Sequence, residues 1–169
     1  MPQPTILIAC IGNIFLGDDG FGCEVAKVLQ TRTLPENVKL FDYGIRGYDL
    51  AYSLLDGYDV TIFVDAVPQT DAPGTLYVIE PDLSEFENAE AEPAMLDGHT
   101  MNPSHVLRMA HQMGAKFNII RLVGCVPETF GGEEGQMGLS EPVQAAVLEA
   151  ANMVESLIEK ENVEYSKAA

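Results

Sequence analysis

The sequence predicts an α/β domain in which helices cover both faces of a largely parallel sheet. Short runs of β-branched and other apolar residues alternate along the chain with segments of helical periodicity. Most of the runs are continuously apolar rather than apolar at every second residue, which is typical of strands buried on both faces of a parallel sheet. Regular alternation of strands with helices places the helices on the two sides of such a sheet.

Five segments are predicted to be strands. They are residues 5–10, 38–41, 60–64, 75–79 and 118–123. The fourth segment follows the third too closely for a helical crossover, and parallel strands need such a crossover. We therefore expect the fourth strand to be an antiparallel edge strand or part of a hairpin.

Four segments are predicted to be helices. They are residues 20–30, 48–55, 102–113 and 141 to about 160, the last with Ser140 as its N-cap. Residues 81–98, "PDLSEFENAEAEPAMLDG", are acidic, and we expect a surface loop with too few apolar residues to anchor it in the core. Residues 162–169 are expected to be frayed. Because the chain shows no linker or repeat, residues 1–169 are predicted to form a single domain.

Charge and cysteine content limit the classes of partner. The chain has 26 acidic and 9 basic residues, a formal net charge of −17. Such a charge repels nucleic acid and anionic membranes and favours cations or basic protein segments, although it also serves solubility. No apolar run approaches the ~20 residues of a membrane span, and the first residues do not resemble a signal peptide. The three cysteines form no C-x-x-C pair, so we expect reduced thiols and a cytoplasmic location.

A glycine-rich turn containing two adjacent aspartates follows the first strand. Residues 12–22 read "GNIFLGDDGFG". Glycine-rich turns between a strand and a helix often bind phosphate, but Asp18 and Asp19 would repel that anion. Ligands of open α/β sheets bind beyond the carboxyl ends of the strands. The polar residues expected at those ends are Asp18, Asp19, Asp42, Asp65 and Glu128.

Asp19, Asp65 and His99 make a candidate metal site. Two neighbouring carboxylates repel each other unless a proton or a cation lies between them. A mixed oxygen and nitrogen donor set suits metals such as nickel or zinc, and three protein ligands leave positions open for water or substrate. The alternatives are that Asp18 stabilises a helix start, which Asp19 cannot easily do as well, and that Asp65 caps the next turn. His105 and His111 fall on different faces of one helix and are expected to be surface or packing residues.

The motifs resemble those of the hydrogenase maturation endopeptidases. The turn matches the family pattern G-N-x-x-x-x-D-[DE]-G-x-G, and the resemblance continues in family order. The further matching segments are "DYGIRGYDL", "IFVDAV", "APGTLYVIE", "GHTMNPSHVL", "LVGCVPE" and "GLSEPV". The resemblance implies a three-layer α/β sandwich with a twisted, mostly parallel five-stranded sheet. It also implies removal of a C-terminal extension from the precursor of a nickel-containing hydrogenase large subunit, once nickel has been inserted.

The resemblance also assigns roles to particular residues. It implies that the metal-binding and catalytic positions are Asp19, Asp65 and His99, with Asp18 fixing the turn or the helix start. A second region matches the family's substrate-recognition region and contains Asp42, Gly44 and Arg46. Many relatives have Gly-Gly-Thr where this chain has "YGI", residues 43–45, so substrate choice is expected to differ in detail.

Several alternatives for the function stay open at the level of sequence. Nickel already seated in the precursor could engage the three residues, or the enzyme could keep a resident zinc or another divalent metal. A non-catalytic nickel-binding assembly factor could use the same ligands. A response-regulator receiver is disfavoured because Asp18 and Asp19 lie eight and nine residues beyond Cys10, and because no lysine follows the last strand.

Overall fold

The structure, a computed structural model, describes residues 2–87 and 102–169, which form one sheet flanked by helices. The strands are β1 (Ile6–Ile11), β2 (Val38–Gly44), β3 (Val60–Ala66), β4 (Leu76–Ile79) and β5 (Ile119–Cys125). The α-helices are α1 (Phe21–Gln30), α2 (Gly47–Leu54), α3 (Ser84–Glu87), α4 (Pro103–Gln112) and α5 (Glu141–Ala168). A 3₁₀ turn, Gly17–Gly20, joins β1 to α1.

The sheet has the strand order β2-β1-β3-β5-β4. β1 pairs in parallel with β2 and β3, and β3 pairs in parallel with β5. β4 pairs antiparallel with β5 at the edge of the sheet. The five-stranded, mostly parallel α/β fold is therefore confirmed, and the fourth strand is the antiparallel edge strand rather than half of a hairpin with β3.

Hydrophobic side chains pack on both faces of the sheet. On one face Ile62 and Val64 of β3 belong to a cluster shared with α1 and α5. On the other face Phe63 belongs to a cluster shared with α2, α3 and α4. Successive side chains of a strand point to opposite faces. Asp65, two residues beyond Phe63, therefore lies on the α4 side of the sheet.

Helix α1 approaches the sheet closely at Gly22. A Cβ at this position would lie 2.3 Å from the carbonyl oxygen of Ile11 and 2.5 Å from that of Val64. Only glycine permits this approach, because any side chain would push the helix away from the strands. The contact holds the start of α1, and the 3₁₀ turn before it, against the carboxyl ends of β1 and β3.

The prediction of a frayed tail at residues 162–169 is wrong, because α5 continues to Ala168. Its last turns are held by tertiary contacts. Asn162 Oδ1 accepts a hydrogen bond of 2.9 Å from Asn37 Nδ2. Glu161, which is buried and immediately follows the expected end of the helix, lies 3.2 Å from the guanidinium of Arg121 in β5. In the described part of the chain, no helix has both the length and the apolar character to span a bilayer.

The start of the acidic segment is anchored, contrary to the expectation. Phe86 of α3 is 5% exposed and belongs to the cluster on the α2 and α4 side. Leu83 packs against the same cluster. One aromatic and one aliphatic side chain are thus enough to fix residues 81–87 to the core. Residues 88–98 lie outside the described residues.

Candidate active site

The structure brings Asp19 and Asp65 together at the carboxyl edge of the sheet. β1 and β3 are paired neighbours, with Cys10 opposite Val64. Asp65 lies near the end of β3, and Asp19 lies in the 3₁₀ turn that follows β1. Burial raises the pKa of Asp65 well above its ordinary value, and the nearby charge of Asp19 raises it further. The two carboxylates therefore interact electrostatically, as the proposed metal site requires.

Backbone N–H groups orient both carboxylates. Asp19 Oδ2 accepts a hydrogen bond of 3.0 Å from the N–H of Asn13. Asp65 Oδ1 accepts one of 2.9 Å from the N–H of Ala66, and its side chain is buried. Burial raises the pKa of Asp19 although the Asn13 bond opposes that shift. No basic side chain forms an ion pair with either aspartate among residues 2–87 and 102–169.

His99, the third predicted ligand, lies outside the described residues. The description resumes at Asn102, three residues later, whose Oδ1 caps α4 by accepting a 3.0 Å hydrogen bond from the N–H of His105. Because α4 leads into β5, which runs parallel to β3, α4 begins at the carboxyl edge of the sheet. In the parts of the chain that the structure describes, no group of three His, Cys, Asp or Glu side chains is placed to hold a metal ion.

Asp18, which was expected to fix the turn or the helix start, anchors the turn and does not cap α1. Its side chain is fully buried and accepts four hydrogen bonds from the connection between β5 and α5. The donors are Glu128 N at 2.7 Å, Thr129 N at 3.1 Å, Ser140 N at 2.7 Å and Ser140 Oγ at 2.8 Å. Burial alone would raise the pKa of Asp18, but the hydrogen bonds outweigh it and lower the pKa.

Ser140 occupies the N-cap position of α5, as predicted, but its side chain makes no capping hydrogen bond. Its hydroxyl turns to Asp18 instead. Glu128 also differs from expectation, since its carboxylate is exposed and only its backbone N–H reaches the site through Asp18. The hydrogen bonds between Asp18 and the β5–α5 connection, here called the Asp18 clamp, were not predicted from the sequence. The residues that they join are far apart in the chain. The one indication of these hydrogen bonds in the sequence is the glycine-rich segment 130–138, "FGGEEGQMG". Such a segment needs contacts from elsewhere in the chain to hold it in one conformation.

The predicted substrate-recognition residues line a separate cleft beside the carboxylates. The cleft has a volume of about 370 Å³, and Gly12, Asn13, Ile14, Phe15, Cys23 and residues 42–46 surround it. Asp42 Oδ1 accepts hydrogen bonds from Gly44 N at 3.0 Å and from Cys23 Sγ at 3.3 Å. Burial, and then the charge of Asp42, raises the pKa of the Cys23 thiol to about 12. This thiol is therefore protonated at neutral pH and is not a nucleophile.

Arg46 shapes the wall of this cleft. Its guanidinium donates to the carbonyl oxygens of Asp42 at 2.6 Å and Tyr43 at 3.2 Å. Gly44, in the same turn, has a φ of 56°, in the left-handed region that glycine adopts without strain. Arg46 thus fixes the turn whose backbone borders the cleft. Direct contact of Asp42, Gly44 or Arg46 with a substrate stays a prediction.

Comparison with known proteins identifies the family. A family model described as HycI, hydrogenase maturation protease, matches residues 23–157 of this chain. The chain belongs to the hydrogenase maturation protease family. This membership confirms the resemblance drawn from the motifs and supports a hydrolase over a non-catalytic assembly factor.

Two solved maturation peptidases and one protein named as a hydrogenase subunit resemble the chain over most of its length. The hydrogenase maturating endopeptidase HybD from E. coli has a TM-score of 0.71 at 25% identity, covering 92% of both chains. A hydrogenase 2 maturation peptidase from a Thaumarchaeota archaeon has a TM-score of 0.68 at 29% identity, covering 91% of this chain and 97% of its own. Coenzyme F420 hydrogenase subunit delta from Methanothermobacter thermautotrophicus is 33% identical, covering 88% of this chain and 91% of its own.

Proposed function

We propose that this protease removes the C-terminal extension of a nickel-loaded hydrogenase large-subunit precursor, with Asp19, Asp65 and His99 as the residues that contact the metal. The observation that supports the proposal is the pairing of Asp19 with Asp65 at the carboxyl edge of the sheet, with no basic partner among the described residues. Two such carboxylates are stable together when a proton or a divalent cation lies between them.

The chemistry of the donors suits an ion that arrives with the substrate. Asp65 is held in place by Ala66, and Asp19 by Asn13, so both carboxylates are oriented before any ligand binds. Asp65 is buried, whereas Asp19 is partly exposed, which leaves one side of the pair open to a partner protein. His99 precedes α4 by only a few residues, and α4 begins at this edge. Carboxylate and imidazole ligands together suit nickel.

The reaction is hydrolysis of one peptide bond of the precursor. Asp19 and Asp65 hold the nickel-bearing region of the substrate so that the scissile bond lies beside the ion. The ion supplies Lewis acidity, which polarises a carbonyl or acidifies a water molecule. Water adds to the scissile carbonyl carbon, the C–N bond breaks, and the nitrogen leaves as an amine while the carbonyl becomes a carboxylate. The carboxylates position the reacting groups and hold the protons released.

A resident zinc, or another divalent metal, would use the same three residues. The two possibilities differ in what the free enzyme contains and in which precursor it accepts. An enzyme gated by substrate-borne nickel cleaves only the nickel-loaded precursor, and an enzyme with resident zinc cleaves both forms. The cytoplasmic location stays a prediction, supported by three buried, unpaired cysteines, Cys10, Cys23 and Cys125.

The deciding experiment incubates the purified protein with the nickel-loaded and the nickel-free precursor and measures the mass of the product. We expect loss of a C-terminal peptide from the loaded form alone. Asp19→Asn is the matched inactive variant, since it keeps the side-chain size and removes the charge. Stable binding without any change of mass, for either form of the precursor, would refute the protease and support an assembly factor.

A further inference from the structure

We infer that residues 129–139, here called the clamped segment, form a second wall of the substrate site and bind the precursor through Phe130 and Met137. The inference rests on the proposed function for the identity of the partner. Ile14 lines both the cleft that contains Asp42 and Arg46 and a smaller depression that contains Met137, so the two surfaces adjoin. Phe130 and Met137 lie in none of the matching motifs and are not among the proposed metal ligands.

Three sets of contacts fix the clamped segment to the turn that carries Asp19. Asp18 binds both of its ends, through the N–H groups of Glu128 and Thr129 at the start and through Ser140 at the finish. Its middle is joined to the turn by a short parallel bridge between Leu16 and Gln136. The bonds of that bridge run from Gly17 N to Gln136 O at 2.8 Å and from Gln136 N to Phe15 O at 2.9 Å. Asp18 N also donates to Thr129 O at 2.9 Å.

These contacts hold a segment that has little core of its own. It contains Gly131, Gly132, Gly135 and Gly138, each with a positive φ, and such residues lose much conformational freedom when they are ordered. Burial of the Asp18 carboxylate costs free energy because its charge must leave water. A loop with no role would not require that cost. The anchor is best explained by a need to keep the segment in a fixed position relative to Asp19.

The ordered segment presents large apolar side chains to solvent. Met137 is 65% exposed and Phe130 is 41% exposed. Across the bridge, Ile14 and Phe15 are exposed as well. Met137 and Ile14 line one small depression beside the 3₁₀ turn. Exposed apolar side chains on an anchored backbone are typical of a contact surface, since little backbone entropy is lost when a partner covers them.

The occupant that fits this surface is the precursor segment next to the scissile bond. The surface adjoins the turn that holds Asp19, so a precursor chain bound at the carboxylates lies next to it. Glu133 and Glu134 are exposed between the two apolar residues, which favours a partner with apolar and basic side chains. A second copy of this chain fits poorly, because each copy carries a net charge of −17.

The test compares two double variants with matched exposure. Phe130→Gln with Met137→Gln removes the apolar contacts of the clamped segment. Leu148→Gln with Val163→Gln removes exposed apolar side chains of α5, which are 61% and 52% exposed. Steady-state cleavage of the nickel-loaded precursor gives kcat and KM, and binding is measured separately in an Asp19→Asn background. We expect KM and Kd to rise about tenfold or more for the first pair, with kcat within about threefold of wild type.

The control pair should leave kcat, KM and Kd within about twofold of wild type. Equal KM and Kd for the Phe130 and Met137 variant and the wild type, with cleavage intact, would overturn the inference and leave the proposed function standing. If the wild type binds the precursor without cleaving it, the proposed function fails, and Kd alone decides the inference. Sedimentation that shows a dimer, dissociated by the first pair only, would assign the surface to self-association and overturn the inference.

Discussion

Asp18 and Ser140 are 122 positions apart in the chain, and two hydrogen bonds join them. The N–H of Ser140 donates to Oδ1 of Asp18 and its hydroxyl donates to Oδ2, at 2.7 and 2.8 Å. Through this contact the turn after β1 and the first residue before α5 form one unit. The neighbouring residue Asp19 interacts with Asp65 instead, so the structural contact of Asp18 is separate from the site proposed for Asp19.

Asp18→Asn should destabilise the fold. An ionised carboxylate can accept all four hydrogen bonds, whereas an asparagine places an N–H₂ group against at least one backbone donor. We expect a loss of about 2–4 kcal/mol in the free energy of unfolding, measured by urea denaturation. Asparagine can replace aspartate at a helix N-cap at little cost, but it cannot satisfy this set of donors. Ser140→Ala, which keeps the backbone bond, should cost only about 1 kcal/mol. Equal stability of Asp18→Asn and wild type would contradict the role of the clamp.

Asp65→Asn should abolish cleavage while it stabilises the metal-free protein. The substitution removes a buried charge that lies close to Asp19, and asparagine can keep the hydrogen bond from the N–H of Ala66. We expect a gain of about 1 kcal/mol, or roughly 2–4 °C in Tm, for the protein stripped of metal with a chelator. Calorimetry of the wild type and the variant measures the change in stability, and the precursor cleavage assay measures the loss of activity. A variant that is less stable than wild type would show that Asp65 already has a compensating partner.

The carboxylate of Asp65 also predicts how the stability of the fold changes with pH. In the folded protein burial, followed by the charge of Asp19, raises the pKa of Asp65, so the native state binds a proton more strongly than the unfolded chain does. Stability therefore decreases as pH rises above the unfolded value of about 4 towards the raised native pKa. The advantage of Asp65→Asn over wild type should be small near pH 4 and larger near pH 8. Unfolding curves of both proteins at the two pH values test this prediction. A stability advantage of Asp65→Asn that decreases as pH rises would contradict a raised pKa for Asp65.

Gly22→Ala should destabilise the contact between α1 and the sheet. The new methyl group would lie within 2.5 Å of the carbonyl oxygens of Ile11 and Val64, which belong to the backbone and cannot turn away. Overpacking of this kind costs about 1–3 kcal/mol or more. Because α1 and the 3₁₀ turn move together, we also expect lower kcat for precursor cleavage. Gly57→Ala is the matched control for added bulk, since a Cβ there meets no atom within 4 Å, although its φ of 75° adds local strain. It should leave kcat unchanged.

Local pattern was enough to predict most of the secondary structure. The runs of β1 and β3 are continuously apolar because both faces of these strands are covered. Burial on both faces can therefore be predicted from consecutive residues. Family motifs likewise indicated Asp19 and Asp65 individually. The length of α5 was misjudged because its last turns are stabilised by Asn37 and Arg121, residues remote in the chain. Phe86 was overlooked for a similar reason, since one apolar residue in an acidic segment gives no periodic signal.

The sequence by itself determined the α/β class, the five strands, the family and the identity of the candidate site residues, because these depend on short-range patterns. Only the tertiary structure decided which groups surround each of the two adjacent aspartates. Asp18 and Asp19 are identical side chains one residue apart, and their environments differ because a 3₁₀ turn points one towards the β5–α5 connection and the other towards β3. Hydrogen-bond donors and neighbouring charge come from segments distant in the chain, so the protonation and role of a carboxylate become defined only when the fold brings those segments together.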